Sequence, residues 1–242
     1  MVLGSHLSQR GHNTGVYPLW QIALVSILPG LLWLWFFYRQ DAFEPEPRRL
    51  LLLLFGLGML AVLPALLLEL PWRAQLLTSL RQGDLARLAL LSFAVVGGIE
   101  ESVKTLTLYL SVRHMAEYDE PLDGIIYGVT VGLGFAALEN LLYAYTKGLT
   151  VGLFRAVVTS LAHASFTGWL GYFVTVAKFG RRHGVIVMGL IVATILHGAY
   201  DFLLLAMGGA YGLLGFGLVG LAMLLLMMKI RELEALSPFR PR

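Results

Sequence analysis

Seven apolar runs, each followed by a short polar segment, set the pattern of this chain. Their length of about 20 residues matches that of an α-helix crossing the hydrocarbon core of a bilayer. The pattern therefore predicts an all-α fold, a polytopic transmembrane helix bundle of about seven spans. The predicted spans cover residues 16–37, 50–70, 87–112, 122–145, 149–177, 184–206 and 210–228.

The short connections between the spans predict a single folded domain. We expect a transmembrane domain over residues 16–230, a polar disordered tail over 1–15 and a cytoplasmic tail over 231–242. The segment 71–87 alternates leucine pairs with charges and contains a predicted turn at Gly83. It fits a short interfacial helix as well as it fits a solvated loop.

The composition is that of a membrane protein. Hydrophobic residues make up 57% of the chain and charged residues 14%, whereas soluble domains carry roughly 25% charged residues. The chain has no cysteine, which excludes disulfides and thiolate ligands and leaves histidine and carboxylates as the strong metal ligands. The chain has a net charge of +3. In membrane proteins, an excess of basic residues usually lies in the cytoplasmic loops. The predicted partner is therefore the lipid bilayer and not nucleic acid.

The loop cations predict the orientation in the membrane. Eleven Lys and Arg residues fall on one side, six fall on the other, among them Arg155, and Lys104 lies within a span. Cytoplasmic loops carry the excess of basic residues. The asymmetry therefore predicts a multi-pass protein of the cell membrane with its N-terminus outside and its C-terminus in the cytoplasm.

Three ionisable residues interrupt the third span, in the sequence GGIEESVKTLTLYL. A charge at the bilayer centre costs roughly 2.5–3.5 kcal/mol on insertion scales, so these side chains must face the bundle interior and find partners. Lys104 is spaced to meet both Glu100 and Glu101 on one helix. One lysine cannot balance two carboxylates, so a structural ion pair leaves one glutamate unexplained and a functional role is favoured.

Polar residues also occur within the next three spans, in the sequences GFAALEN, LAHASFTGWLG and LHGAYDF. Counted at about 1.5 Å per residue, helices of alternating direction bring them to one zone between the midplane and the outer half of the bilayer. We therefore expect one shared polar site. Its members from these spans are Glu139, Asn140, His163, His197 and Asp201.

A glycine ladder precedes the polar residues of the fourth span. Gly124, Gly128 and Gly132 recur at every fourth position, a spacing that lets a neighbouring helix approach closely. We expect that neighbour to be the third span, which would bring Glu139 toward Glu100.

The ordered motifs EExxK, FxxxEN, a lone histidine and HxxxD resemble the PrsW family of intramembrane proteases, distant relatives of the type II CAAX prenyl endopeptidases. The resemblance extends over roughly residues 90–205. It implies hydrolysis of a membrane-associated protein or peptide, with anti-sigma factors as the known substrate theme. The motif residues are Glu100, Glu101, Lys104, Phe135, Glu139, Asn140, His163, His197 and Asp201.

Peptide hydrolysis needs an activated water, stabilisation of the oxyanion and a proton for the leaving amine. Glu100 or Glu101, in an apolar setting, is suited to act as base and then as acid. Lys104 would keep the other carboxylate ionised or stabilise developing negative charge. Asn140 would bind a substrate backbone or a carboxylate. These four residues form the predicted catalytic set.

The two histidines admit two roles. His163 and His197 could bind zinc with a carboxylate from Glu139 or Asp201, leaving one position open for water. Alternatively, no metal is bound and the imidazoles donate hydrogen bonds to the oxyanion. The set of nitrogen and oxygen donors favours zinc slightly, and Asp201 could orient His197 instead of binding metal.

Two other functions would use the same residues. A proton- or cation-coupled transporter would use them as a relay, and inverted repeats or paired broken helices, neither of which is evident, would support it. A non-catalytic scaffold on a protease-like fold would have lost part of the polar set, which is complete. The resemblance to the PrsW family favours a membrane-embedded protease as the predicted function.

Overall fold

A computed structural model describes residues 17–182, 184–207 and 210–241, and the tail predicted over 1–15 lies outside them. Every regular element of the described residues is helical, which confirms the all-α prediction. The elements are α1 Leu19–Tyr38, α2 Arg48–Glu69, a 3₁₀ turn Leu70–Trp72, α3 Arg73–Gln82, α4 Leu85–Leu90, a π-helical segment Leu91–Gly97, α5 Gly98–Val112, α6 Asp123–Lys147, α7 Leu149–Phe179, α8 Val185–Met207 and α9 Ala210–Ala235.

The long helices confirm a multi-pass membrane bundle. Among the described residues, six helices are long and apolar enough to cross a membrane. A seventh, formed by α4, the π-helical segment and α5, is set apart by its three buried charges. Large hydrophobic side chains remain exposed along α1, α2, α8 and α9, as expected of a surface that contacts lipid.

The structure refines the prediction for two segments, the one that follows α2 and the end of the last span. The segment after α2 forms the helix α3, and Gly83 ends it with a φ of +66°, a conformation that glycine adopts without strain. The predicted end of the last span at residue 228 is too early, because α9 continues to Ala235. There Lys229 pairs with Glu232 at 2.7 Å across one helical turn. The first residues of the predicted cytoplasmic tail are therefore helical.

A π-helical segment lies directly before the charged turn of α5. It covers Leu91–Gly97, and such wide turns inside α-helices occur frequently at functional sites. Gly97 lies against the α8 backbone at Gly198, which in turn lies against Phe93. This close approach places His197, the neighbour of Gly198, beside the carboxylates of α5.

Helix α6 is the centre of the bundle. Every residue from Asp123 to Ala137 is buried, and the helix packs against α1, α2, α5 and α7. The prediction that the glycine ladder faces the third span is wrong, because Gly128 opposes Gly171 and the Thr167 carbonyl of α7. The reason is that α7 has small residues of its own at this crossing, so the two backbones fit closely together.

Gly128→Ala is expected to destabilise the bundle by about 1–3 kcal/mol, because the added methyl group would meet the Thr167 carbonyl at the α6–α7 crossing. Gly220→Ala is the matched control, since no described atom lies within 4 Å of a methyl group at this exposed position of α9. Thermal unfolding of both variants in one detergent measures the difference. Equal melting temperatures for the two variants would contradict the assigned crossing.

Candidate active site

Four helices contribute side chains to one buried polar cluster. Its members are Glu100, Glu101 and Lys104 of α5, Glu139 of α6, His163 of α7, and His197 and Asp201 of α8. These are seven of the eight site residues predicted from the sequence. The alternating helices therefore meet at one zone, as their depth along the spans indicates.

The ammonium group of Lys104 lies at the centre of the cluster. Its Nζ donates to Glu101 Oε1 at 2.8 Å and to Glu100 Oε2 at 3.1 Å, and it lies 2.8 Å from His163 Nδ1. An ammonium group has three donors and no acceptor, so His163 Nδ1 must accept. The charge also lies 4.1 Å from the centre of the Phe135 ring, a cation–π contact.

The contact with Lys104 determines the tautomer of His163. Because Nδ1 accepts, the imidazole is neutral with its proton on Nε2, which donates to Glu139 Oε2 at 3.0 Å. The other oxygen of Glu139 accepts from Arg155 at 2.7 Å. The Arg155 guanidinium in turn lies 3.7 Å from the centre of the Tyr143 ring. Glu139 therefore orients His163 and is itself held by a largely buried arginine.

His197 is oriented by Glu101. Its Nδ1 lies 2.8 Å from Glu101 Oε1, and its Nε2 lies 3.7 Å from Glu100 Oε2 and 3.6 Å from Asp201 Oδ2. The rings of His163 and His197 meet edge to face, with 5.1 Å between their centroids. The two imidazoles and Glu100 thus surround one small volume.

The two adjacent glutamates have different surroundings. Glu101 is fully buried; one of its oxygens contacts Lys104 and His197. The other oxygen accepts from the Thr167 hydroxyl at 3.4 Å. Glu100 is 5% exposed, and its Oε1 has no hydrogen-bond partner among the described residues. Glu100 therefore has an oxygen available to water or substrate, and Glu101 does not.

Among the described residues, Asn140 makes no hydrogen bond to the carboxylates of the cluster. It is fully buried between α6 and α7, where its amide nitrogen donates to the Ser160 hydroxyl at 3.2 Å. Its amide oxygen has no partner in the part of the chain that the structure describes. This placement favours a role in holding α6 against α7 over direct contact with substrate.

Two charged residues near the cluster do not belong to the motifs. Arg155 was counted with the loop cations, but its side chain packs into the bundle against Glu139. Glu69, the last residue of α2, lies within electrostatic range of Glu100 and Glu139. Both could have been found as isolated charges within or at the end of apolar runs, because ionisable residues at membrane depth are functional candidates.

Comparison with known proteins assigns the chain to a family. The sequence model described as PrsW family intramembrane metalloprotease matches residues 46–228. The chain belongs to the PrsW family. This result confirms the resemblance carried by the four motifs and extends it to the second span and the last.

Curated PrsW proteins are similar over most of their length. The Protease PrsW of Geobacillus kaustophilus is 34% identical over 190 residues, 78% of this chain and 81% of the relative. The proteins of that name from Bacillus subtilis and Clostridioides difficile are each 33% identical, over 78% and 77% of this chain and 85% and 79% of the relatives. No solved structure matches the chain. PrsW membership thus supports a membrane protease.

The PrsW family description implies a metal, and the cluster contains donors that fit one. Ligand atoms of Glu100, His163 and His197 all lie within 4.8 Å of one another, and two imidazoles with a carboxylate are a known set for hydrolytic zinc. Carboxylates outnumber cations in the cluster, so a dication would offset negative charge. Both nitrogens of His163 are engaged, so ligation by His163 would replace its contact to Lys104 or Glu139.

Proposed function

We propose that this chain is an intramembrane endopeptidase that hydrolyses a peptide bond of a membrane-associated substrate with water activated by Glu100. The observation that carries the proposal is that Glu100 groups with two imidazoles within 4.8 Å and keeps one oxygen, Oε1, without a hydrogen-bond partner among the described residues. A carboxylate in an apolar setting is suited to accept a proton from water and then return it to the leaving amine.

Lys104 and Glu101 position the reacting groups. Lys104 donates to both glutamates, which favours the ionised Glu100 that can accept a proton. Glu101 holds Nδ1 of His197, so the Nε2 of that ring is directed toward Glu100. The fully buried contacts of Glu101 fit a positioning role, and the unpartnered oxygen of Glu100 fits the reacting role.

Zinc is the proposed cofactor, held by His163 and His197 with a carboxylate from Glu100 or Asp201. Asp201 Oδ2 lies 3.6 Å from His197 Nε2. Glu139 instead binds Arg155 and His163, as outer carboxylates do when they orient metal-binding histidines. Bound zinc would supply an activated water and polarise the scissile carbonyl. In a metal-free site, a protonated His197 would donate its Nε2 hydrogen to the oxyanion, because both nitrogens of His163 are already engaged by Lys104 and Glu139.

The proposed substrate is a membrane protein or peptide, with anti-sigma-factor-like proteins suggested by the family resemblance alone. Helical carbonyls are already hydrogen-bonded, so a substrate helix must unwind locally before its peptide bond reaches Glu100. The proposed orientation, with the N-terminus outside and the C-terminus in the cytoplasm, places the site between the midplane and the outer half of the bilayer. Substrate and water would therefore enter from the outer side.

Cleavage is expected in a juxtamembrane or weakly helical segment on the outer side of the substrate. Purified protein is reconstituted in vesicles with a tagged single-span substrate, and mass spectrometry maps the cut. Glu100→Gln in matched vesicles controls for contaminating proteases.

The sidedness of the cut is interpreted against measured topology. The chain has no cysteine, so single cysteines at the exposed positions Gln82 and Glu232 report on the two ends of the bundle. Residue 82 should react from outside and residue 232 from the cytoplasm. Labelling of both from one side would contradict the proposed span arrangement, whereas a cytoplasmic cut with the expected labelling would contradict the proposed depth of the site.

A further inference from the structure

A second group of buried carboxylates lies at the end of the bundle where α5 ends and α6 begins. Asp41 follows α1, Glu120 precedes α6 and Glu234 lies in the last turn of α9. Asp41 is 2% exposed and Glu120 is fully buried. Carboxylate oxygens of all three residues lie within 4.8 Å of one another. Three segments that are distant in sequence therefore converge on one acidic site.

Several of these oxygens lack partners although they are buried. Both oxygens of Asp41, Oε1 of Glu120 and Oε2 of Glu234 have no hydrogen-bond partner within the described residues. The remaining two oxygens are satisfied: the Ser237 hydroxyl donates to Glu120 Oε2, and the Ala42 amide donates to Glu234 Oε1 at 3.1 Å. Each carboxylate thus leaves at least one oxygen free in the group.

The negative charge of this group is not balanced by protein cations. No ion pair of the described residues includes Asp41, Glu120 or Glu234. Burial, followed by repulsion from Glu120 and Glu234, raises the pKa of Asp41 to about 7, and the nearby Glu44 amide offsets this only in part. A buried carboxylate without a partner is costly, so such a group requires a counter-ion or a shared proton.

We propose that Asp41, Glu120 and Glu234 bind a hard divalent cation, Mg²⁺, Ca²⁺ or Mn²⁺, at a site separate from the catalytic cluster. All the available donors are carboxylate oxygens, which are the ligands that these ions prefer over nitrogen or sulfur. The four unpartnered oxygens would form part of the coordination shell, and water would complete it. The half-buried Glu234 leaves a path for the ion to enter.

The bound cation would connect the ends of five helices. It would join the α1–α2 connection and the end of α9 to the α5–α6 connection, which carries Glu120. That connection links the helix of Glu100 to the helix of Glu139, so the cation would stabilise the scaffold that holds both. This role does not depend on the proposed peptide hydrolysis or on zinc.

The test uses the full chain, purified in detergent and stripped of metal with a chelator. Addition of Mg²⁺, Ca²⁺ or Mn²⁺ in separate titrations should raise the melting temperature by about 5–10 °C at roughly 100 times the dissociation constant. Asp41→Asn should abolish this shift while melting at or above the wild-type temperature in chelator, because it removes a repelling charge. Glu232→Gln removes an exposed charge of the same helix α9, 57% accessible at its side chain, and should keep the shift.

Equilibrium dialysis with elemental analysis should show about one added ion per chain in wild type, and none in Asp41→Asn or Glu234→Gln. Glu234→Gln carries the test if Asp41→Asn does not fold. Absence of a shift with all three cations would overturn the proposal and favour shared protons. The proposal would also be overturned by a shift that persists in Asp41→Asn and Glu234→Gln, or by one that disappears in His197→Ala and so belongs to the catalytic cluster.

Discussion

Glu100→Gln is expected to lower the cleavage rate by about 10²–10⁴-fold, the contribution of a positioned general base, with little change in melting temperature. Glutamine keeps the shape of the side chain but cannot accept a proton from water. Glu100 has an oxygen outside the hydrogen-bond network, so the network tolerates the change. Initial rates on a verified membrane substrate, together with thermal unfolding, measure both effects.

Glu101→Gln is the matched variant one position away and should behave differently. Its side chain contacts Lys104, His197 and Thr167 and is fully buried. The glutamine side chain would place its NH₂ group, a donor, where the neighbouring side chains need a hydrogen-bond acceptor. Such a mismatch in a buried site costs about 1–3 kcal/mol. We therefore expect a lower melting temperature as well as reduced activity. Near-normal turnover in both variants would rule out a role for either glutamate in activating water.

His163→Ala and His197→Ala are each expected to remove zinc, from near one ion per chain to near none, and with it the protease activity. The reason is that the two imidazoles are the nitrogen donors grouped with Glu100 within 4.8 Å. His114→Ala is the matched control, because His114 is exposed in the α5–α6 connection and should leave zinc content unchanged. Elemental analysis of purified protein and a cleavage assay measure the two effects.

The same variants separate the metal-dependent mechanism from the metal-free one. The zinc content of Glu100→Gln reports whether Glu100 binds the metal. Loss of zinc would show that Glu100 is a zinc ligand, whereas retention of zinc would support Glu100 as the base that activates water. Full activity in protein shown to be free of metal would contradict the zinc proposal. It would favour a hydrogen bond from protonated His197 to the oxyanion, with Glu100 still acting as the base.

The sequence by itself determined properties that depend on neighbours along the chain. Span number and approximate length follow from the apolar runs, because membrane insertion responds to local hydropathy. The contacts of Lys104 with Glu100 and Glu101 follow from their spacing on one helix and are present in the structure. The ordered motifs were likewise sufficient to indicate the PrsW family, which the comparison confirms.

Only the tertiary structure decided properties that depend on how each helix is rotated and which helix it meets. Adjacent residues point about 100° apart on a helix, so packing alone leaves Glu100 with a free oxygen and encloses Glu101. Packing also turns the Gly128 face toward α7 instead of the third span.

The acidic site at the other end of the bundle shows most clearly which contacts the sequence alone does not predict. The amide of Ala42 and the carboxylate of Glu234 that accepts from it are 192 positions apart in sequence. No periodicity relates such distant residues, because their contact arises only when α1 and α9 reach the same end of the folded bundle.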